Sequence, residues 1–377
     1  MNIYAITCEL NPFHTGHKYL IEQTKRKTGA DAIVCIMSGS MVQRGDVAIF
    51  DKWQRARAAL ENGADLVIEL PACYVLQSAD LFAKGAVEIA NLLGCTGLAF
   101  GSECTDTKLL YKMAELKANE PIEYKTALKK YLDEGLGYPL SCEKAAEEVL
   151  GNFPEEITKP NSTLGISYIA AAKKINPEMK IHIEKRIGNY HSNDLTEEFA
   201  SASALRQILL SGDRTSDYLL CTSDEIYDIN NISSLILGYF RMAKEKNLKD
   251  ISGMEDGLAL RLIQKSRESS SYNEFIQKCV SKRYTSHRIR RVVLCSLLNI
   301  TTSPKPNYLR VLGLNSSGAK ILKQIKGHCP AEIITKLSDA NIKDNPMLMQ
   351  DILSTDIASL CVGKRASADY LTSPVVI

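Results

Sequence analysis

Two histidines three residues apart, in the segment His14-Thr15-Gly16-His17, are the residues of this chain best placed to do chemistry. They follow an apolar stretch, residues 3–10, that predicts a buried strand, and they open a segment of helical character. A helix N-terminus presents unpaired N–H groups and a positive dipole end, which attract a phosphate. Two imidazole donors there could stabilise the charge that develops on an α-phosphate as pyrophosphate leaves. A capping pair and a zinc site are the alternatives, but no third ligand cluster supports zinc.

A parallel sheet is the element that must position this loop. Apolar segments alternate with helical segments, which predicts an α/β fold: a Rossmann-like parallel sheet with helices on both faces, plus a mainly helical C-terminal domain. In such sheets ligands bind beyond the carboxyl ends of the strands. Asp51 is the expected N-cap of the second helix, and Gly63 its stop signal. The predicted strands are residues 3–10, 31–37, 66–70, 96–100 and 179–184, and the predicted helices are 17–27, 52–62, 78–93, one from about 203, 234–246, 257–268 and 285–298.

The length of 377 residues suits two domains, which we place at 1–217 for a catalytic domain and 218–377 for a basic, mainly helical one. A helical insertion is expected at about 106–150. The first 220 residues carry a formal charge of about −5 and the remainder about +7, and residues 281–330 contain ten Lys or Arg and no Asp or Glu. This asymmetry favours a polyanion such as a nucleic acid as the partner of the basic half, although a solvated charged face is the ordinary alternative.

Composition excludes several classes of protein. The eleven cysteines are scattered and form no Cys-x-x-Cys pair, which argues against a structural zinc or a redox site and favours free thiols. The N-terminus lacks the features of a signal peptide, and no run reaches the length of a membrane span. The sequence therefore predicts a cytoplasmic protein with no bound structural metal.

The His14-Thr15-Gly16-His17 segment resembles the signature of the nucleotidylyl transferase superfamily, which includes class I aminoacyl-tRNA synthetases and small adenylyltransferases. Members usually carry a second phosphate motif of the form Ser-Ser-Thr-x-Ile-Arg. Here Ser201-Ala202-Ser203-Ala204-Leu205-Arg206 resembles it, with the second Ser and the Arg kept. Ser203 and Arg206 are thus possible phosphate contacts, although both serines could simply cap a helix. Lys52, on the helix after Asp51, is a further possible phosphate contact, and it and Arg55 could equally face solvent.

Five segments together are similar to the tRNA(Met) cytidine acetate ligase family: residues 9–17, 43–46, 62–71, 160–165 and 282–285. The resemblance implies an enzyme that joins acetate to ATP, releasing pyrophosphate, and then acetylates N4 of the wobble cytidine in elongator tRNA(Met). Mg²⁺ is expected to accompany the ATP. His14 and His17 would be the catalytic pair. The implied ATP contacts are Thr7, Cys8, Glu9, Leu10, Asn11, Pro12, Phe13, His14, Thr15, Gly16, His17, Lys18, Tyr19, Leu20, Gly101, Asn161, Arg186 and Ile187.

Three of these contacts have a physical rationale of their own. Gly101 ends a predicted strand, Asn161 can hydrogen-bond a base or a ribose, and Arg186 carries a fixed positive charge at the end of another strand. A turn glycine, a helix N-cap and a surface charge are the respective alternatives.

The basic segment supplies candidate RNA contacts. Cations neutralise phosphates, and an aromatic ring can stack on an unpaired base of an anticodon loop. Tyr284 and the residues after it could instead form the inner face of a helix. The candidates are Lys282, Arg283, Tyr284, Arg288, Arg290 and Arg291.

The sequence leaves two other functions open. A small-molecule adenylyltransferase would use the same histidines but has no need of a basic second half, and a non-catalytic RNA-binding module would have no need of the histidines. The segment 313–320 imitates a P-loop, but Ala319 stands where that motif has Lys, so we interpret it as a turn before a helix.

Overall fold

The computed structural model describes residues 1–186, 201–213 and 216–377. The strands are β1 Ile3–Cys8, β2 Ala32–Ser38, β3 Met41–Val42, β4 Asp46–Val47, β5 Leu66–Leu70, β6 Gly97–Ser102, β7 Lys180–Lys185, β8 Tyr308–Leu314, β9 Glu332–Ile334 and β10 Val375–Val376. The helices are α1 Thr15–Thr28, α2 Lys52–Glu61, α3 Ala72–Val75, α4 Ala79–Leu92, α5 Thr107–Asn119, α6 Ile122–Asp133, α7 Tyr138–Leu150, α8 Pro160–Ile175, α9 Ala202–Leu210, α10 Ser233–Met242, α11 Glu245–Leu248, α12 Leu258–Arg267, α13 Tyr272–Cys279, α14 Ser286–Leu297, α15 Ser316–Ile325, α16 Pro346–Leu360 and α17 Ala368–Leu371.

The central sheet has the strand order β10-β8-β5-β2-β1-β6-β7, with β9 paired to β8. Strand β1 runs parallel to β2 and β6, and β2 with β5 and β6 with β7 are parallel as well. The carboxyl ends of these five strands therefore meet at one edge of the sheet, which we call the carboxyl edge. The loop that contains both histidines leaves β1 at the centre of this edge.

Helices cover both faces of the sheet because the strand side chains alternate between two apolar cores. Ile3 and Ala5 pack into the core that also holds residues of α4 and α8. Tyr4 and Ile6 pack into the other, with residues of α1 and α2. The α/β fold predicted from the sequence is confirmed, and so is the cap of α2, where the Asp51 side chain accepts a hydrogen bond from the Gln54 N–H at 2.8 Å.

The C-terminal half adds strands to this sheet, which the sequence analysis did not predict. Strand β8 pairs antiparallel with β5, and β9 and β10 both pair with β8. The segment 313–320 is the end of β8 followed by α15, whose N-cap Asn315 accepts hydrogen bonds from two backbone N–H groups. Residues 218–377, expected to be mainly helical, therefore also complete the sheet of the first half. Strand β8 is buried on both faces, so its sequence does not alternate between apolar and polar residues and gives no period-two signal.

Helices α5 to α7 occupy the segment where a helical insertion was expected. They have a small apolar core of their own, formed by Leu116, Tyr124, Ala127, Ala145 and Ala146. Among the helices that the structure describes, none is both long and apolar enough to cross a bilayer.

Lys52 lies in the protein interior, so the predicted phosphate contact of this residue is wrong. Its side chain is fully buried, and Nζ lies 2.9 Å from Glu69 Oε1 and 2.9 Å from Asp369 Oδ1. A Cβ atom at Gly39 would lie 2.1 Å from Glu69 Oε1, so only glycine leaves room for the carboxylate of this pair. Lys52 forms ion pairs with both buried acids, and Asp369 also pairs with Arg310 at 3.6 Å, so this cluster ties the C-terminal segment to β5.

Replacing Lys52 by Met should lower the free energy of unfolding by about 3–5 kcal/mol, because buried Glu69 would lose its ion pair with Lys52 and Asp369 would keep only the longer contact with Arg310, at 3.6 Å. Urea denaturation of the purified variant measures this change. Lys130→Met is the matched control, since Lys130 pairs with Glu148 on the exposed surface of the insertion and should change stability little. Equal effects of the two substitutions would contradict the interior role of Lys52.

Candidate active site

The loop between β1 and α1 begins with a strained turn. Leu10 has a φ of +49°, in the left-handed region that residues with a Cβ rarely adopt. Two guanidinium groups hold the carbonyls on either side of it: Arg55 Nη1 donates to Glu9 O at 2.7 Å, and Arg206 Nη1 donates to Asn11 O at 2.6 Å. Strain of this kind persists only where the surroundings enforce it, and it is concentrated at functional sites.

Arg55 is the main brace of the carboxyl edge, a role the sequence analysis did not assign. The side chain is fully buried. It donates to the carbonyls of Phe50 at 3.0 Å, Ser38 at 3.0 Å and Gly39, in addition to that of Glu9. One side chain thus fixes the ends of both β1 and β2. The signal in the sequence was an arginine on the apolar face of α2, four residues after the N-cap.

Both catalytic candidates accept a backbone hydrogen bond through Nδ1. The Gly16 N–H donates to His14 Nδ1 at 3.0 Å, and the His14 N–H donates to His17 Nδ1 at 3.3 Å. A nitrogen that accepts carries no proton, so each neutral ring must hold its proton on Nε2. The ring centroids are 3.9 Å apart. The capping pair that the sequence left open is therefore present, and it fixes both rings, at the start of α1, in the tautomer that carries its proton on Nε2.

The environment keeps both rings neutral. Burial lowers the pKa of His17 to about 3, and the nearby charge of Arg186 acts in the same direction. Burial also holds the pKa of His14 well below its usual value, with His17, Arg186 and Arg206 adding to the effect. At neutral pH the rings are therefore hydrogen-bond donors and not cations. A bound anion would raise both pKa values, because it favours the protonated form.

The second motif lies against the histidine loop. Ser201 is the N-cap of α9, since its Oγ accepts from the Ala204 N–H at 3.1 Å, so the capping alternative holds for this serine. Ser203 Oγ accepts from Arg206 Nη2 at 3.0 Å, and the other nitrogen of Arg206 is bonded to Asn11 O. The structure thus brings Arg206 and Ser203 to the loop of His14. Their contact with a phosphate stays a prediction.

Gly101, Asn161 and Arg186 meet at the carboxyl ends of β6 and β7. A Cβ built on Gly101 meets no atom within 4 Å. Asn161 Nδ2 donates to Glu103 Oε1 at 2.6 Å, and the Arg186 N–H donates to Ser102 O at 2.9 Å. The charge of Arg186 acts on His14 and His17, which places this group beside the histidine pair. Glu103 had not been singled out, although it follows the strand that ends at Gly101.

The remaining predicted ATP contacts form the continuous stretch from the end of β1 to the second turn of α1. The side chains of Leu10 and Phe13 are buried in the core, so they can present only backbone atoms to a ligand. The hydroxyl of Thr15 is buried with no hydrogen-bond partner among the described residues. Ile187 lies outside the described residues. The others named in this stretch are Thr7, Cys8, Glu9, Asn11, Pro12, Gly16, Lys18, Tyr19 and Leu20.

The loop of residues 43–46 connects the histidine loop to the basic half. The Gln43 N–H donates to Glu9 Oε1 at 2.6 Å. On its other side the loop packs on α14, because a Cβ at Gly45 would lie 2.5 Å from Arg291 N. Arg290 Nη1 lies 3.6 Å from Asp46 Oδ2. A continuous set of contacts therefore runs from β1 to α14.

These contacts correct part of the predicted RNA surface. Arg290 pairs with Asp46, and Arg291 Nη1 donates to Gln43 O at 3.4 Å, so both contact the loop of residues 43–46, and their contact with RNA stays a prediction. Tyr284 is buried, with Arg283 and Arg288 over its ring at 5.5 and 5.1 Å, and is not an exposed stacking surface. The physical reason is Glu255, an acid that Arg283, Arg288 and Tyr284 all contact. The helix-face alternative is correct for the residues that follow, since Val292, Val293 and Leu294 are buried.

Glu255 draws the two arginines together. It pairs with Arg283 Nη2 at 2.7 Å and with Arg288, and it accepts from the Tyr284 hydroxyl at 3.4 Å. Lys282 is exposed. RNA contacts by Lys282, Arg283 and Arg288 remain predictions. Within the described ranges, no cluster of three or more His, Cys, Asp or Glu could hold a metal ion.

The depressed pKa of His17 predicts how stability depends on pH. An unfolded histidine binds a proton near pH 6.5, whereas folded His17 does so only at about 3, so lowering the pH through this window favours unfolding. Between about pH 7 and about pH 4, His17→Asn should lose roughly 3 kcal/mol less unfolding free energy than the unsubstituted protein. Urea titrations at both pH values measure the difference. The exposed His328→Asn is the control, and a similar effect of both substitutions would contradict a buried neutral ring.

Comparisons with known proteins agree with this geometry. The family model described as HIGH Nucleotidyl Transferase matches residues 1–371. The chain is 36% identical to a tRNA(Met) cytidine acetate ligase of Clostridium perfringens and 34% identical to one of Acetivibrio thermocellus, and both alignments cover 100% of each chain.

Two solved structures are similar over their full length. The crystal structure of Thermotoga maritima TmcAL in its apo form I has a TM-score of 0.91 and 28% identity, with 100% of both chains covered. The form bound with alpha-thio ATP has a TM-score of 0.87 and 27% identity, again with 100% of both chains covered. Because the family model matches residues 1–371 and relatives of one name align over 100% of both chains at 34–36% identity, the chain belongs to the tRNA(Met) cytidine acetate ligase family of the HIGH nucleotidyl transferases.

Proposed function

We propose that this protein is an ATP-dependent ligase that acetylates the wobble cytidine of elongator tRNA(Met). The observation that carries the proposal is the pair of neutral Nε2–H donors at the mouth of α1, on His14 and His17. Membership in a family whose relatives carry that name over the whole chain supports the choice of substrates. A relative of the same fold was solved with alpha-thio ATP bound, which supports ATP as the nucleotide.

In the first step a carboxylate oxygen of acetate attacks the α-phosphorus, and the bond to the bridging oxygen of pyrophosphate breaks. The products are acetyl-adenylate and pyrophosphate. Negative charge increases on the oxygens of the α-phosphate in the transition state, where the Nε2–H groups of His14 and His17 would donate. Arg186 and Arg206, whose charges act on the histidines, would neutralise the triphosphate. We expect Mg²⁺ to accompany the ATP as a counter-ion of its phosphates.

In the second step the N4 amine of cytidine attacks the acetyl carbonyl carbon. The bond between that carbon and the AMP oxygen breaks, and the amine loses a proton. The RNA must therefore reach the same cleft in which the adenylate forms. The loop of residues 43–46 supports this arrangement, since it contacts Glu9 on the histidine loop and α14 in the basic half. No comparable feature favours the small-molecule adenylyltransferase, whose substrates need no basic half.

His17→Ala should lower the rate of acetate-dependent exchange between ATP and labelled pyrophosphate by roughly 10²–10³, the cost of one transition-state donor. Binding of tRNA, measured by gel shift, should change little. The exposed His328→Ala is the matched control and should keep full activity. Ordinary exchange by His17→Ala would contradict the role of the ring.

With elongator tRNA(Met) and labelled acetate, the unsubstituted protein should place label on cytidine N4, as detected by nucleoside mass spectrometry. Adenylate that forms without any label reaching RNA would defeat the RNA half of the proposal. In that case the small-molecule adenylyltransferase would be the better account.

Gly101→Val should abolish ATP binding, because its side chain would occupy space at the carboxyl edge that the nucleotide is expected to fill. The protein should still fold, since a Cβ at this position meets no protein atom within 4 Å. Isothermal calorimetry measures the affinity and thermal denaturation the stability. Gly238→Val, on α10, is the control, since a Cβ there also meets no atom within 4 Å. An unchanged ATP affinity in Gly101→Val would place the nucleotide elsewhere.

A further inference from the structure

Glu103 sits at the centre of a hydrogen-bond network just beyond the end of β6. Its Oε1 accepts from Asn161 Nδ2 at 2.6 Å. Its Oε2 accepts from the Ser162 N–H at 2.9 Å and from Ser162 Oγ at 3.1 Å. Oε1 thus binds the side chain of Asn161, whereas Oε2 binds Ser162 in the first turn of α8.

The same carboxylate interacts with a second predicted nucleotide contact. The negative charge of Glu103 acts on the guanidinium of Arg186, which in turn acts on both catalytic histidines. Gly101 lies two residues before Glu103 on the same strand end. Two residues that the family resemblance assigns to ATP, Gly101 and Asn161, therefore lie beside or against one acidic residue to which that resemblance assigns nothing, and the charge of this acid acts on a third, Arg186.

The chemistry of the two groups fixes how Asn161 is oriented. Carboxylate oxygens only accept, so the nitrogen of the amide must face Glu103, and Oδ1 is turned away from it. A glutamine at position 103 could donate as well as accept, and it would no longer distinguish the two orientations of the amide. The negative charge that Arg186 meets would be lost at the same time.

We propose that Glu103 is a positioning residue for the nucleotide, which holds the Asn161 amide in the orientation that ATP binds and whose charge acts on the neighbouring Arg186. This inference rests on the proposed function, because it takes Asn161 and Arg186 to contact ATP. Glu103 itself does not touch the reacting atoms. Glu103 reduces the conformational freedom of the side chains that contact ATP, so less entropy is lost when the nucleotide binds.

A purely structural role is the competing explanation, since Glu103 also satisfies the N–H of Ser162 in the first turn of α8. The two roles can be separated through Ser162. Its hydroxyl is bonded to Ser102 Oγ at 3.0 Å, accepts from the Cys104 N–H at 3.0 Å and donates to Glu103 Oε2 at 3.1 Å. Removing it loosens the junction between the β6 end and α8 but leaves the Ser162 N–H on Oε2 and the Asn161 amide on Oε1. Ser162→Ala should lower the melting temperature and leave the Kd for ATP nearly unchanged.

Glu103→Gln should raise the Kd and the KM for ATP about tenfold, the effect of one hydrogen bond to a charged group. The kcat of acetate-dependent pyrophosphate exchange should stay within about twofold, because the histidine donors are unaltered. Asn161→Ala should raise the Kd as well. In the Asn161→Ala background, Glu103→Gln should raise the Kd for ATP clearly less than it does alone, since the amide that Glu103 orients is already missing.

The double variant Glu103→Gln/Asn161→Asp provides a second measurement that preserves the network. The new glutamine can donate to the new aspartate, and an oxygen of residue 161 again faces away from position 103. Its Kd should return toward that of the unsubstituted protein and be lower than that of Glu103→Gln alone.

Three results would overturn the inference: an unchanged Kd in Glu103→Gln, full additivity of Glu103→Gln and Asn161→Ala, or a rise in Kd for Ser162→Ala as large as that for Glu103→Gln. Failure of the proposed function has a different signature, namely that the unsubstituted protein neither binds ATP nor acetylates tRNA. The two failures are therefore distinguishable.

Discussion

Two backbone N–H groups at the start of α1 determine what the histidines can do. The N–H of Gly16 and that of His14 each occupy an Nδ1 atom, so both rings carry their proton on Nε2. Burial and the nearby guanidinium charges keep the rings neutral, so that they donate hydrogen bonds without a prior protonation step. The helix cap and the catalytic geometry are thus one arrangement, and a change in the first turn of α1 would alter both.

Two arginine side chains, Arg55 and Arg206, hold the histidine loop in place by hydrogen bonds to its backbone carbonyls. Arg55, buried under the loop, binds carbonyls at the ends of β1 and β2, and Arg206 binds the carbonyl of Asn11. Lys52, on the same helix α2, instead forms ion pairs with Glu69 and Asp369 in the interior. The cations that remain near the histidines, Arg186 and Arg206, create a positive environment suited to a triphosphate.

The sequence predicted the parallel sheet well because apolar strands and capped helices alternate regularly through its first half. It predicted the histidine loop because residue types and spacing alone indicate phosphate chemistry. It did not predict β8, a strand buried on both faces whose partner β5 lies more than two hundred residues earlier. Nor did it predict that Glu255 would draw Arg283 and Arg288 over Tyr284. Charge counts record residues along the chain, whereas the availability of a cation depends on acids that only folding brings near.

A crystal structure of this protein with a non-hydrolysable ATP analogue tests the central claim most directly. The account predicts that Nε2 of His14 and Nε2 of His17 each lie about 3 Å from an oxygen of the α-phosphate, with both Nδ1 atoms still bonded to the backbone. Rings that turn Nε2 into the protein interior, or a nucleotide bound away from the mouth of α1, would contradict it.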